Sequence, residues 1–262
     1  MRSLLALLPL LLLAAPARAD EAPLCLNRPG MATPPCVLER GAAAAELGLA
    51  EWDHSSDAAS VQDDLTWGSL NLRLGLGGDT ELEAGIAAWS TTRSLDRASG
   101  LVDRQRGVGD VTFALRHVFG GANGPVALHG YLTLPTGAEG IGADDWGAGL
   151  IVPMAFDLPH GFGLSFAPEA DAAVNASGRG RHLRWGGAAG LSHALTQDLS
   201  LIGELGAWRD NDPAGAGTDA RAAISLAWQV GKNWQLDAQL DLGLSVAAPR
   251  HALMAGISRR FR

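Results

Sequence analysis

Lysine is almost missing from this chain: Lys232 is the only one in 262 residues. A soluble β domain carries lysine, threonine and glutamate on its wet face, so the lack argues against a water-soluble sandwich or lipocalin-like barrel. Past residue 19 no stretch of 18 or more apolar residues occurs, which excludes a membrane-spanning helix. Basic residues are too few for a nucleic-acid partner. Without residues 1–19, which hold Arg2 and Arg18, 18 basic residues face 28 acidic ones, a net charge of −10. Cysteine is confined to Cys25 and Cys36, with Pro23, Pro29, Pro34 and Pro35 around them. No histidine or third cysteine accompanies the pair, so an oxidising compartment predicts a disulfide rather than a metal site.

What is present begins with Arg2, an apolar run from Leu4 to Ala15 and the small-x-small ending Ala17-Arg18-Ala19. This pattern predicts a cleaved secretory signal over 1–19. Residues 20–40 are then expected as a periplasmic segment holding the disulfide, and 41–262 as the folded domain. The 34 glycines favour many turns.

From residue 41 onward the dominant signal is alternation with period two. Trp234, Leu236, Ala238, Leu240 and Leu242 share one face, while Gln235, Asp237, Gln239 and Asp241 share the other. Such runs predict twelve strands, at about 41–51, 67–76, 80–90, 108–119, 126–134, 147–157, 161–172, 183–195, 199–209, 220–230, 234–246 and 251–262. Each has close to the ~9–11 residues that a tilted strand needs to cross a membrane. Their connections alternate, with tight turns such as Gly77-Gly78-Asp79 and polar loops at 52–66, 91–107, 135–146, 173–182 and 210–219. The pattern predicts an all-β fold, a closed antiparallel transmembrane β-barrel of about 12 strands with long extracellular loops and short periplasmic turns. Trp67, Trp89, Trp146, Trp185, Trp208, Trp228 and Trp234 fall mostly at strand ends, where an interfacial girdle is expected.

The polar parity places Arg73, Glu81, Glu83, Asp110, Arg116, His129, Tyr131, Glu169, Arg184, Arg221 and Asp237 toward the lumen. Arginine offers planar bidentate pairing to these acids, so a charge network narrowing the passage is expected. Catalytic, cofactor and metal constellations are not visible in the spacing. Ser192-His193 are adjacent on a strand and point to opposite faces, so they do not form a nucleophile and base. The loop acids Asp53, Asp57, Asp63, Asp64, Asp144, Asp145, Asp210 and Asp212 read either as solvated side chains or as ligands for divalent cations shared with lipopolysaccharide. Gly107 to Asp110 precedes a strand, so no helix N-terminus stands there to hold a phosphate.

Gly107-Val108-Gly109-Asp110, followed by Thr112, Phe113, Ala114, Leu115 and Arg116, and one hairpin later Leu134-Pro135-Thr136-Gly137, resemble paired motifs of the family named for a MetA pathway of phenol degradation. The likeness runs over roughly 65–262 and leaves the cysteine segment outside. It implies an outer-membrane barrel of transporter type, without catalytic residues to carry over. The last strand is also similar to the signal read by the barrel-assembly machinery, with Phe261, Ile257, Ala255 and Leu253 in place; Arg259 and Arg262 depart from it. The expected role is a passive pore or facilitator for small molecules, aromatic or apolar ones included. The alternatives are a structural or ligand-binding barrel with a closed lumen and, behind it, an outer-membrane hydrolase.

Overall fold

The computed structural model describes residues 24–261; the expected signal peptide and Arg262 lie outside them. Fourteen strands follow one another: β1 (Ala43–Ser56), β2 (Ser60–Gly77), β3 (Thr80–Asp96), β4 (Val102–Gly107), β5 (Val111–Phe119), β6 (Val126–Leu134), β7 (Gly147–Ile151), β8 (Met154–Leu158), β9 (Phe162–Val174), β10 (Arg181–Ala194), β11 (Leu199–Asp210), β12 (Gly217–Val230), β13 (Trp234–Gly243) and β14 (His251–Phe261). All pairings are antiparallel and successive staves follow one another in the sequence, with β14 closing onto β1. β4 and β5 both lie along β3 and make one stave. β7 and β8 make another, interrupted at Val152-Pro153, since proline has no N–H to give the ladder. Fourteen segments therefore build a closed barrel of twelve staves.

The barrel is inside-out relative to a soluble domain. Leu72, Leu74, Leu82, Phe113, Leu115, Leu226 and Leu253 are exposed on its outer wall, while Arg73, Glu81, Arg116 and Glu46 are buried within. Outward-facing apolar side chains without a partner element need lipid around them. Trp67, Trp89, Trp146 and Trp185 stand exposed toward the long-loop end, and Trp228 and Trp234 toward the short-turn end. Trp208 departs from the expected girdle: it is buried and its indole N–H donates to Glu169 at 2.9 Å.

Two expected loops are in fact strand. β2 has 18 residues and β3 has 17, well beyond the membrane's need. Most of 52–66 and 91–107 thus continues the ladder as hairpins projecting past the wall, with turns near Asp57 and Gly100. Above the membrane both faces of a strand meet water, so the alternation fades although the hydrogen bonding persists.

Residues 24–40 also differ from expectation. Instead of forming a peripheral segment in the periplasm, they enter the lumen from the short-turn end. Gly41 donates to the Gly75 carbonyl and Val37 to that of Ala122, both beside short turns. At Gly75 a Cβ would overlap the carbonyls of Leu38 and Glu39, so the segment passes there because the wall has no side chain. Small apolar clusters, Leu26–Leu38–Ala44 and Val37–Val118–Ala127, seat it against the wall.

Candidate functional site

The lumen is built by two partners, the inward parity of the strands and the segment between Cys25 and Cys36. The disulfide is formed, with Cα atoms 5.9 Å apart, and it closes a loop carrying Asn27, Arg28, Gly30, Met31 and Ala32. The tip of this loop offers backbone N–H groups to acids on widely separated staves. Glu46 of β1 accepts from Asn27 N (2.9 and 3.0 Å) and Arg28 N (2.9 Å). Glu204 of β11 accepts from Met31 N at 2.9 Å and Ala32 N at 2.8 Å, and Gln239 of β13 from Gly30 N at 2.8 Å. The Arg28 guanidinium reaches Glu51 at 2.8 Å and Asp237 at 3.1 Å. A buried carboxylate without a donor costs far more than one hydrogen-bonded to amides, so the acids and the segment need each other.

The expected lumen charges separate into clusters. Arg73, fully buried, binds Glu46 at 2.9 Å, Glu81 at 2.7 Å and the Cys25 carbonyl at 2.7 Å. Arg116, equally buried, binds Glu83 at 2.7 Å, the Asn27 carbonyl oxygen of the side chain at 2.7 Å and the Cys36 carbonyl at 3.1 Å, with His129 at 3.3 Å. Each arginine therefore grips one cysteine's backbone. Removing one partner of such a buried pair typically costs ~3–5 kcal/mol, because the other is left uncompensated. A second cluster holds Tyr131, whose hydroxyl donates to Asp171 at 2.6 Å and lies 3.2 Å from the Glu169 carboxyl, beside Arg184, which pairs with Asp171 at 3.0 Å. Arg221 stands in a third, with Asp219 at 2.6 Å, Asp53 at 3.8 Å and Asp241 at 3.9 Å. Asp237 joins through Arg28 rather than through a strand arginine.

Asp110 belongs to none of these. Its carboxylate accepts from Gly137 N at 2.6 Å and Ala143 N at 2.7 Å, folding the 135–146 loop onto the wall. Thr136 Oγ1 accepts from Val111 N, and Ala138 N donates to the Val108 carbonyl. The two sequence motifs are thus halves of one clasp. The segment's anchors Asn27 and Arg28 were not legible in the sequence; Glu46 and Glu204 were readable as lumen acids, but their partners were not.

Ser192 and His193 point apart as expected, Ser192 toward the Gly163 carbonyl and His193 stacked on Phe162 with ring centres 4.3 Å apart. Among the described residues no group of three or more metal-ligating side chains gathers.

Among solved structures, the chain is similar to an outer-membrane channel from Pseudomonas putida F1 (18% identity, 87% of this chain and 98% of that one, TM-score 0.66). It is similar also to the translocator domain of the autotransporter NalP from Neisseria meningitidis (16%, 86% and 90%, TM-score 0.55) and to the β domain of the Bordetella autotransporter BrkA (18%, 85% and 100%, TM-score 0.55). At these identities the likeness establishes the fold. No curated protein matches the chain. The model of one family matches residues 26–261, taking in the lumen segment as well as the Asp110 clasp. With nearly its whole length matched, the chain belongs to the family described as Putative MetA-pathway of phenol degradation.

Proposed function

We propose that this protein is a passive conduit for small solutes across the bacterial outer membrane, small aromatic or apolar molecules among them. The observation that carries the reading is the space beside the lumen segment, a cavity of about 280 Å³ bordered by Asn27, Arg28, Glu46, Ser69, Asn71 and Thr112. Its volume is close to the lower end of the ~300–1,000 Å³ of small-ligand pockets. The segment is held by polar side chains, and charges fixed at a constriction select permeants by sign and size. Membership of a family described by phenol degradation supports a small aromatic solute. An outer-membrane location, reached through a cleaved signal peptide, makes membrane lipid, lipopolysaccharide and the barrel-assembly machinery its surroundings.

A second reading, a binding or structural barrel with a closed lumen, is favoured by the complete burial of Arg73, Glu81 and Arg116. Swelling of proteoliposomes in a graded series of small solutes separates the two. The conduit predicts entry that falls steeply with solute size, and no swelling with any solute favours the closed barrel.

A further inference from the structure

The hairpins projecting above the outer tryptophans carry a charge pattern that solute passage does not use. Along one cross-strand row the register pairs His251 of β14 with His54 of β1, His54 with Asp63 of β2, Asp63 with Arg93 of β3, and Arg93 with Arg104 of β4. Arg106 lies two residues further along β4, opposite Thr91. These side chains share the outer face. Their sequence neighbours point inward: Asp53 to the lumen residue Arg221, Asp64 to Thr92, and Gln105 toward Gly140 of the folded-in 135–146 loop.

The height of the row is fixed by the Trp67–Trp89 pair, which faces outward one step below. From Trp89, Thr91 and its partner Arg106 are two residues up and Arg93 and Arg104 four, or ~7 and ~13 Å along the strand at ~3.3 Å per residue. Tryptophan rings mark the boundary of the hydrocarbon, so the row stands at the level of lipid headgroups. Below it, the outward face of β2 from Leu76 to Trp67 spans the apolar band.

The cations of this row are under-used by the protein itself. Arg104 and Arg106 are exposed and make no hydrogen bond or ion pair among the described residues. Among the described residues Arg93 pairs with Asp63 alone, at 3.7 Å, and that carboxylate is already engaged by His54 at 2.8 Å. Three guanidinium groups on one patch of wall in a chain of net charge −8 is a local inversion of sign. Guanidinium forks match phosphate oxygens bidentately and remain charged at every physiological pH.

We propose that the outward face formed by Arg93, Arg104 and Arg106, with His54 and His251 at its flank, docks the phosphorylated headgroup of an outer-leaflet glycolipid of the lipid A type. The contact is direct, guanidinium to phosphate, without a bridging divalent cation, and it fixes the barrel's depth and orientation in the outer leaflet. It is independent of whether the lumen conducts.

The test compares the full-length protein with the Arg104→Gln/Arg106→Gln double variant, whose altered side chains are exposed and make no hydrogen bond or ion pair among the described residues. Both are purified folded in detergent, and binding is measured by native mass spectrometry with two probes, bisphosphorylated lipid A and the same lipid stripped of its phosphates. The unaltered protein should bind the phosphorylated probe at least tenfold more tightly than the stripped one, with the preference retained in excess chelator. The double variant should lose most of that preference, and adding Arg93→Gln should abolish it. Equal binding of the two probes by the unaltered protein overturns the proposal, as does a preference that survives all three substitutions. A preference that disappears on chelation also overturns it, since that result assigns the contact to cations bridged by the loop acids.

Discussion

Replacing Glu204 with alanine isolates the interaction between the lumen segment and the far wall. In the native barrel the Glu204 carboxylate is buried and accepts from two successive amides, Met31 N at 2.9 Å and Ala32 N at 2.8 Å, and it touches no arginine among the described residues. A hydrogen bond to a charged group contributes ~1.5–3 kcal/mol, so two of them hold the loop tip by ~3–6 kcal/mol. Water entering the lumen recovers part of this, and ~3 kcal/mol is the working estimate. At tenfold per 1.4 kcal/mol, the tip should open on the order of a hundredfold more often in Glu204→Ala. The anchors at Glu46, Glu51 and Asp237 remain, so the barrel stays assembled. Amide hydrogen exchange resolved at Met31 and Ala32 reads this opening directly. Exchange at those two amides unchanged within threefold, in a folded variant, would refute the view that the tip is tethered by this carboxylate.

Three further outcomes follow from the geometry. Asp110→Ala removes both acceptors of the 135–146 loop and should make 137–143 cleavable by added protease while the barrel remains heat-modifiable on gels; continued resistance would show that the clasp does not depend on Asp110. Leu115→Arg sets a charge on the exposed outer wall and should lower folding stability in lipid by about 2–4 kcal/mol, measured by denaturant titration, whereas an unchanged midpoint would invert the assignment of faces. Cys25→Ser opens a loop of about a dozen residues whose closure is worth ~3 kcal/mol in the chain-entropy account. Because Arg73 and Arg116 still grip the carbonyls of residues 25 and 36, membrane insertion should persist while exchange across 25–36 rises; loss of insertion would contradict this.

Alternation made the staves legible wherever one face meets lipid and the other the lumen, as in Leu72-Arg73-Leu74 and Leu82-Glu83. It failed where that contrast ends. At Asp53–Ser56 and Thr91–Asp96 both faces are wet, so continuous strand looked like loop. Trp208 shares parity with Glu204 on its strand, and both are buried inside the barrel. Parity points Arg73, Arg116, Glu81 and Glu83 inward, where they are buried, but their pairings depend on which staves face each other, which no local pattern records. The course of residues 24–40 was hidden for a different reason. Glu46 and Glu204 are satisfied chiefly by backbone N–H groups, which every residue but proline has, so these contacts leave no mark in the side chains of that segment.

Single-channel conductance in planar bilayers, recorded for the unaltered protein beside Glu204→Ala, tests most directly whether solutes pass around a segment lodged in the lumen. The account predicts small, discrete openings for the unaltered protein, because residues 24–40 occupy the passage without sealing the cavity beside them. It predicts larger or more frequent openings for the variant, whose loop tip is released. A silent bilayer with the unaltered protein, or identical openings in both, would contradict it.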